Sequence, residues 1–525
     1  MSLARNVGTI GGLTAVSRVF GFLRDILLAR VLGAGGIADA WQLAFQLPNI
    51  FRRLFAEGAF AQAFVPLFNR RMKDDEDIGE ARRFAEEVLA FLVPLLIVFS
   101  GLAMIAMPWI MGLFASDALA ADATNFDLAV LMARVAFPYL IFMSLATLMA
   151  AVLNSLSRFA AAAAAPVLLN LCLVAALVIG ANLYGSEEAR RQTGFMLAIA
   201  VSASGLLQLV WLMFWARRAG FRMSLRLPRI THGVKELGIL VLPAIFGAGI
   251  YQISRFIDLF FISTLPDKSI TFLAMADRLN QMPLGIIGVA LGTAILPSLS
   301  RHIAREDGDS AFRLQSNAVE LALLLTIPAA VALFVAASAF TRAFYTGGAY
   351  TLADSMDTGA VVSALVVGLP AYVLVKVLVP NFFARKDTRT PVYTAAASLL
   401  INIGLNVLFV WRLGFGVVGL AFAGAVAAWC NCLFLYAMLV LRGYYHLTLL
   451  VAGRIARIAL SAALMGGVLW YAMPYGTEYF AGSALERLAS VVALVALGMA
   501  VFFAAAVALR VVDRETIAQL RRRPA

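Results

Sequence analysis

The sequence predicts an all-α polytopic membrane protein of about fourteen transmembrane helices: two pseudo-symmetric six-helix lobes plus two C-terminal helices. Three observations carry this prediction. Of the 525 residues 62% are hydrophobic and 14% charged, with mean hydropathy +0.88, which no soluble domain of this size tolerates on its surface. Cutting the chain at charge clusters and at Gly, Pro, Asn and Asp punctuation leaves fourteen spans suited to a hydrocarbon core of ~30 Å. Landmarks of the first half also recur in the second at a near-constant offset.

The spans run 7–31, 38–69, 83–114, 126–155, 160–183, 192–217, 234–264, 268–299, 312–343, 356–384, 390–412, 415–441, 450–475 and 484–510. The first carries Gly11, Gly12 and Gly21, which allow close helix approach, and the charges Arg18, Arg24 and Asp25. In the second, Asp39, Gln42, Gln46, Asn49, Arg53 and Glu57 step by three or four, so they share one helical face, with Arg52 at its flank. Trp41, Phe45, Ile50, Leu54 and Phe55 form the other face. Span seven holds Arg255 and Asp258, span eight opens with Asp277, Arg278, Asn280 and Gln281, span ten contains Lys376, and span eleven contains Asn402 and Asn406. Pro48, Pro94 and Pro283 mark expected kinks.

Basic clusters separate alternate pairs of spans: Arg70, Arg71, Lys73, Arg82 and Arg83; Arg158; Arg217 to Lys235; Arg301, Arg305 and Arg313; Arg385, Lys386 and Arg389; Arg442. The connections 115–127 and 345–357 have no Lys or Arg. Positive-inside bias therefore places both termini in the cytoplasm, in agreement with Arg521, Arg522 and Arg523, and accounts for the net charge of +12 without nucleic acid. The repeat pairs Gln46-Leu47-Pro48 with Gln281-Met282-Pro283, Pro66 with Pro297, Pro94 with Pro328, Pro138 with Pro370, and Ser17-Arg18 with Ser254-Arg255, at offsets of 231–237. The expected organisation is 1–230 and 231–445 for the lobes, then 446–525 for two extra helices and a basic tail. The first repeat has 18 residues between its paired prolines, Pro48 and Pro66, against 14 in the second, an extra turn where Arg52, Arg53 and Glu57 sit.

Ionised side chains at bilayer depth face a protein interior or a solvated cavity and are functional candidates. Arg18, Arg24, Arg52, Arg53, Arg255, Arg278 and Lys376, with Asp25, Asp39, Asp258, Asp277 and Glu57, would line such a cavity. Arginine forks suit bidentate binding of phosphate oxygens, so the inferred substrate is an anion, a phosphate or diphosphate. The alternative for single residues is internal pairing, Arg53 with Glu57 or Arg255 with Asp258, and Lys376 has the alternative of snorkelling to the cytoplasmic edge. Asp258, Asn402 and Asn406 offer three oxygens to a monovalent cation, or the two amides bridge helices. The three cysteines, Cys172, Cys430 and Cys432, lie in apolar stretches, and the three histidines fall at cytoplasmic span ends. No ligand-spaced cluster or nucleotide-binding glycine loop supports an enzyme. Transport energy is then expected from an ion gradient, the membrane potential or a substrate gradient.

The stretch Ser17-Arg18-Val19-Phe20-Gly21-Phe22-Leu23-Arg24-Asp25 and the segment Asp39 to Pro66, with its Arg52-Arg53-Leu54-Phe55-Ala56-Glu57-Gly58-Ala59-Phe60 core, resemble the MurJ/MviN lipid II flippases of bacteria. Ala276-Asp277-Arg278-Leu279, Gly288 to Thr293, Leu296 to Ser300 and Arg385 to Pro391 extend the resemblance over nearly the whole chain. It implies a fold of the MOP exporter superfamily in the bacterial inner membrane. The implied activity is alternating-access movement of undecaprenyl-diphosphate-linked peptidoglycan precursor to the outer leaflet, with membrane lipids and other cell-wall synthesis proteins as partners. By motif position it places the central cationic residues on Arg18, Arg24, Arg52 and Arg278, with Asp25, Asp39 and Glu57 as acidic partners. It also implies a sodium site at Asp258, Asn402 and Asn406, although Asn406 stands where a carboxylate is expected and Arg255 lies one turn from Asp258. The last two spans are implied to form a lipid-tail groove. A flippase for another polyprenyl-diphosphate glycan and a cation-coupled exporter are the alternatives.

Overall fold

The computed structural model describes residues 3–55, 59–72, 78–182, 186–224, 226–476, 480 and 482–511. Its helices are α1 Leu3–Leu32, α2 Gly36–Phe55, α3 Ala59–Arg71, α4 Gly79–Ile105, α5 Met107–Phe114, α6 Asp117–Ala121, α7 Ala123–Ala136, α8 Tyr139–Ser155, α9 Phe159–Ala181, α10 Glu187–Arg218 and α11 His232–Ser263. They continue as α12 Ser269–Pro283, α13 Val289–Ala304, α14 Gly308–Val335, α15 Ala337–Tyr345, α16 Leu352–Val366, α17 Leu369–Ala384, α18 Arg389–Asn406, α19 Gly416–Leu441, α20 Leu449–Ala472 and α21 Ala484–Ala508. Among the described residues, ten helical stretches are long and apolar enough to cross a membrane. The long stretches outside that criterion are α1, α2 with α3, α11, and α12 with α13, which carry most of the in-membrane charges.

Some prolines coincide with breaks between helices and others lie inside them. The chain steps between α7 and α8 at Pro138, and between α16 and α17 just before Pro370, so the paired landmarks coincide with paired breaks. Pro283 ends α12 and is followed by a π-helical turn, Leu284–Gly288. By contrast α2 runs through Pro48 and α4 through Pro94: one missing N–H leaves the hydrogen bonds on either side intact. The connections after α8 and α17 are closed alike. Ser157 and Lys386 both take left-handed φ, 58° and 62°. The next N–H reaches back to Leu153 O at 2.8 Å in one case and to Phe382 O at 2.9 Å in the other, the Schellman closure of a helix C-terminus.

The chain forms two compact units, Met1–Thr271 with Gly348–Tyr350, and Phe272–Gly347 with Thr351–Ala525. The boundary between these units falls inside α12, and α11 packs on α2, α3, α4 and α5. In the first unit α1 lies on α9, α9 on α10, and α2 on α7. Its core centres on α3, where Phe60, Phe64 and Phe68 recur every fourth residue and stack at 5.5 Å, joined by Phe84 at 5.4 Å and Phe221 at 5.8 Å.

Below this core the α10–α11 connection is pinned. Glu86, only 1% exposed, accepts from Ser224 N at 3.0 Å, Ser224 Oγ at 2.9 Å, Arg226 Nε at 2.6 Å and Arg82 Nε at 3.1 Å. Glu87 accepts from Thr231 Oγ1 at 2.7 Å, and Glu236 from Arg70 and Arg71 at 3.1 and 2.7 Å. At the other end, Ala349 N donates to Arg30 O at 2.7 Å. Gly33 (φ 76°) is required there, since a side chain would stand 2.6 Å from Ala349 O.

In the second unit, α17 and α19 interlock through Val377, Leu378 and Phe382 against Cys432, Leu435 and Leu439, with α14 completing the core. The last two helices pack on α14 through Met465, Leu469 and Phe502, and Arg454 pairs with Glu320 at 3.0 Å. Asp387 closes the α17–α18 turn, accepting from Arg389 N at 3.1 Å and Thr390 N at 3.0 Å and pairing with Arg442. Burial alone would raise this carboxyl, but the bonds from Thr390 and Arg442 outweigh it and hold the pKa at about 2, below its ordinary 3.8. Because the folded value is depressed, the stabilisation is complete above the ordinary value and is lost as pH falls through about 2. Asp387→Ala is expected to lower Tm in detergent by the equivalent of roughly 1–2 kcal/mol at neutral pH. That gap should close as thermal unfolding is repeated at successively lower pH below 4.

Candidate functional site

Arg24, buried in α1 at 9% exposure, is the centre of the best-defined charged cluster. Its Nε and Nη2 both donate to Asp25 Oδ1, at 3.0 and 2.6 Å, and its Nη1 donates to Asn170 Oδ1 of α9 at 2.9 Å. Asn170 is itself fixed, since its Nδ2 donates to Ser17 O at 2.9 Å. An arginine is tolerable at this depth because its charge is matched at once and most of its donors are used. Arg18, six residues earlier on the same helix, is exposed.

The polar face of α2 changes character along its length. Asp39 is wholly buried and accepts from Lys268 N and Thr271 N, both at 2.8 Å, and from Thr271 Oγ1. Those are first-turn groups of α12, so the carboxylate caps that helix from a distant part of the sequence and complements its dipole. Gln42 is buried as well. Further on, Arg52 is half-buried and donates from Nε to Asn49 Oδ1 at 3.2 Å, while Arg53 is exposed. Glu57 lies outside the described residues, and the Arg53–Glu57 pairing with it. On the apolar face, Trp41 and Ile50 are buried and Trp41 stacks on Phe45 at 5.3 Å. Arg255 and Asp258 of α11, also in the first unit, are half-buried one turn apart.

In the second unit Asp277 and Arg278 are half-buried on α12, and Asp277 accepts from Gln281. Lys376 is exposed, with its side chain laid against the π-turn. A Cβ on Gly288 would stand 3.1 Å from Lys376 Cδ and 3.3 Å from its Nζ, so only glycine leaves the ammonium its present course. Asn402 and Asn406 are buried on α18, with Asn406 Nδ2 donating to Asn402 Oδ1 at 3.2 Å. Asn406 Oδ1 has no hydrogen-bond donor despite full burial. An amide oxygen in that condition suits a monovalent cation. Among the described residues no three His, Cys, Asp or Glu side chains gather as a metal site.

Two features escape the sequence reading. Asn170 is one, although the repeat gives a signal: Asn402 follows it by 232 residues, the offset of the Pro138–Pro370 landmark. The other is the buried stripe Thr390, Thr394, Ser398, Asn402 and Asn406, one polar residue every four along α18. Two of its members are satisfied from neighbouring helices, Thr390 by Arg442 at 2.8 Å and Ser398 through Ala427 O at 2.6 Å.

The profile of the family "Lipid II flippase MurJ" matches residues 28–490. A "Probable lipid II flippase MurJ" of Rhizobium meliloti (strain 1021) is 40% identical over 511 residues, covering 96% of this chain and 94% of that protein. The "Lipid II flippase MurJ" of Burkholderia cenocepacia is 32% identical, covering 96% of each chain. Among solved structures, a lipid II flippase MurJ in an inward closed conformation superposes with TM-score 0.76 at 23% identity, covering 95% of this chain and 98% of that one. An inward-facing MATE family multidrug-resistance transporter of the MOP superfamily gives TM-score 0.67 at 14% identity, covering 82% and 95%. Both share the fold.

The geometry of Asp39 makes it a structural cap in this conformation. Asp39→Ala is expected to lower Tm by the equivalent of roughly 1.5–3 kcal/mol, and Asp39→Asn, which keeps one acceptor, by less. Thermal unfolding of the purified variants checks both, and an unchanged Tm for Asp39→Ala would show the cap to be dispensable.

Proposed function

The chain belongs to the lipid II flippase MurJ family, transporters of the bacterial inner membrane, and from that premise we propose how it carries its substrate. The cargo is lipid II, an undecaprenyl-diphosphate-linked precursor, moved from the inner to the outer leaflet by alternating access. The diphosphate is the group the bilayer core rejects, and arginine is the side chain suited to grip it in pairs of oxygens. The grip falls to Arg18, Arg24, Arg52, Arg53 and Arg255 in the first unit and to Arg278 and Lys376 in the second. The observation that carries this reading is Arg24: a buried guanidinium held on two sides, with donors left over. The apolar surfaces of α20 and α21, with Leu464 51% and Val492 60% exposed, are the proposed seat of the polyprenyl tail.

Asp258, Asn402 and Asn406 are the residues that would hold a monovalent cation such as Na+. Asn406 Oδ1, buried and without a donor, is the oxygen that supports this assignment. A bound ion would supply compensating charge and a link to the ion gradient; the membrane potential is the other candidate energy source. Both termini are proposed to be cytoplasmic, on the distribution of Lys and Arg between spans.

Reconstituted into liposomes, the protein is expected to make lipid II accessible on the opposite leaflet. Arg24→Ala and Arg278→Ala should each slow this by roughly tenfold or more without loss of protein. Wild-type rates in both variants would remove these arginines from the grip. Depletion in cells should accumulate lipid II; accumulation of a different polyprenyl-diphosphate glycan would assign the protein to that cargo instead.

A further inference from the structure

The hydrogen bonds around Arg24 single out a residue that no charge pattern in the sequence marks. We infer that Asn170 is a positioning residue for substrate binding: it sets the Arg24 guanidinium so that one N–H on each terminal nitrogen faces a phosphate. This rests on the reading that Arg24 binds the diphosphate.

A guanidinium carries five N–H donors. Nε and one N–H of Nη2 go to Asp25 Oδ1, and one N–H of Nη1 goes to Asn170 Oδ1. What remains is one N–H on Nη1 and one on Nη2, two donors available to phosphate oxygens. Asp25 takes both of these N–H groups on a single oxygen, so a second point of attachment is what fixes the plane of the guanidinium. Asn170 supplies the second point of attachment, on the opposite side. Its own orientation is decided, since Nδ2 donates to the carbonyl of Ser17, a group that only accepts, and this turns Oδ1 towards Arg24. α1 and α9 approach closely here, with the Asn170 amide 3.5 Å from where a Cβ on Gly21 would lie. Asn170 is 7% exposed, so water does not compete for either bond. As a neutral amide it orients the arginine without cancelling more of its charge, which a second carboxylate would do.

The test is a double-mutant cycle read as lipid II affinity of the purified, detergent-solubilised protein by native mass spectrometry, with Tm measured in parallel. Asn170→Leu, similar in size but without an acceptor, is expected to weaken binding about tenfold or more. In an Arg24→Ala background the same substitution should change affinity little, since there is no guanidinium left to orient. Equal losses in both backgrounds, or wild-type affinity for Asn170→Leu, would overturn the proposal. If Asn170→Leu does not accumulate, Asn170→Asp takes its place: it keeps an oxygen towards Arg24 but loses the tie to Ser17 and adds charge, so it too should bind more weakly. Undiminished affinity there counts against Asn170. Should Arg24→Ala itself bind lipid II normally, the diphosphate reading of Arg24 fails first, and this inference with it.

Discussion

A charge placed among apolar helices has no water to fall back on, and the consequences run through both units. Arg24, Asp39 and Glu86, all deeply buried, draw donors or acceptors from remote parts of the chain. Arg24 is held by its neighbour Asp25 and by Asn170, 146 residues away. Asp39 satisfies the first turn of a helix more than 200 residues on. Glu86 collects four hydrogen bonds from three residues and ties down the connection between α10 and α11. These groups stitch together elements that the hydrophobic effect would pack but not orient, since the lipid tails are as apolar as the helices' leucines.

The duplicated frame makes the same places available twice and uses them differently. Asn170 and Asn402 occupy equivalent positions, 232 residues apart. Adding the offset of 237 shared by Ser17-Arg18 and Ser254-Arg255 to Arg24 and Asp25 gives Phe261 and Ile262, both about 3% exposed. The second repeat therefore has an apolar pair where the first has an ion pair. Asn402 of the second repeat accepts from Asn406. The first unit thus carries a built-in guanidinium at this place, and the second an amide pair with one oxygen to spare. Such divergence after duplication leaves a paired arginine in one half and an amide pair in the other.

Local features of the chain were read correctly because their signals are local. Helix ends fall within a few residues of the span boundaries drawn from charge and punctuation, and paired breaks lie at Pro138 and Pro370. The family was legible from contiguous motifs such as Ser17 to Asp25. Pro48 and Pro94 lie inside α2 and α4, whose helical hydrogen bonding continues past them. Arg226, counted only as a cytoplasmic charge, turns out to bond Glu86 at 2.6 Å.

By itself the sequence determined that this is a multi-pass helical membrane protein, where its helices lie, which family it belongs to, and which residue types are available to meet an anion. Those follow from composition, from periodicity along one helix and from contiguous motifs, none of which requires knowing what packs against what. Only the tertiary structure decided what each charge does: that Asp39 caps α12, that Asn170 steadies Arg24, and that Lys376 runs past Gly288. A hydrogen bond is fixed within a few tenths of an ångström between atoms whose residues are far apart in the chain, and that distance is set by how helices cross.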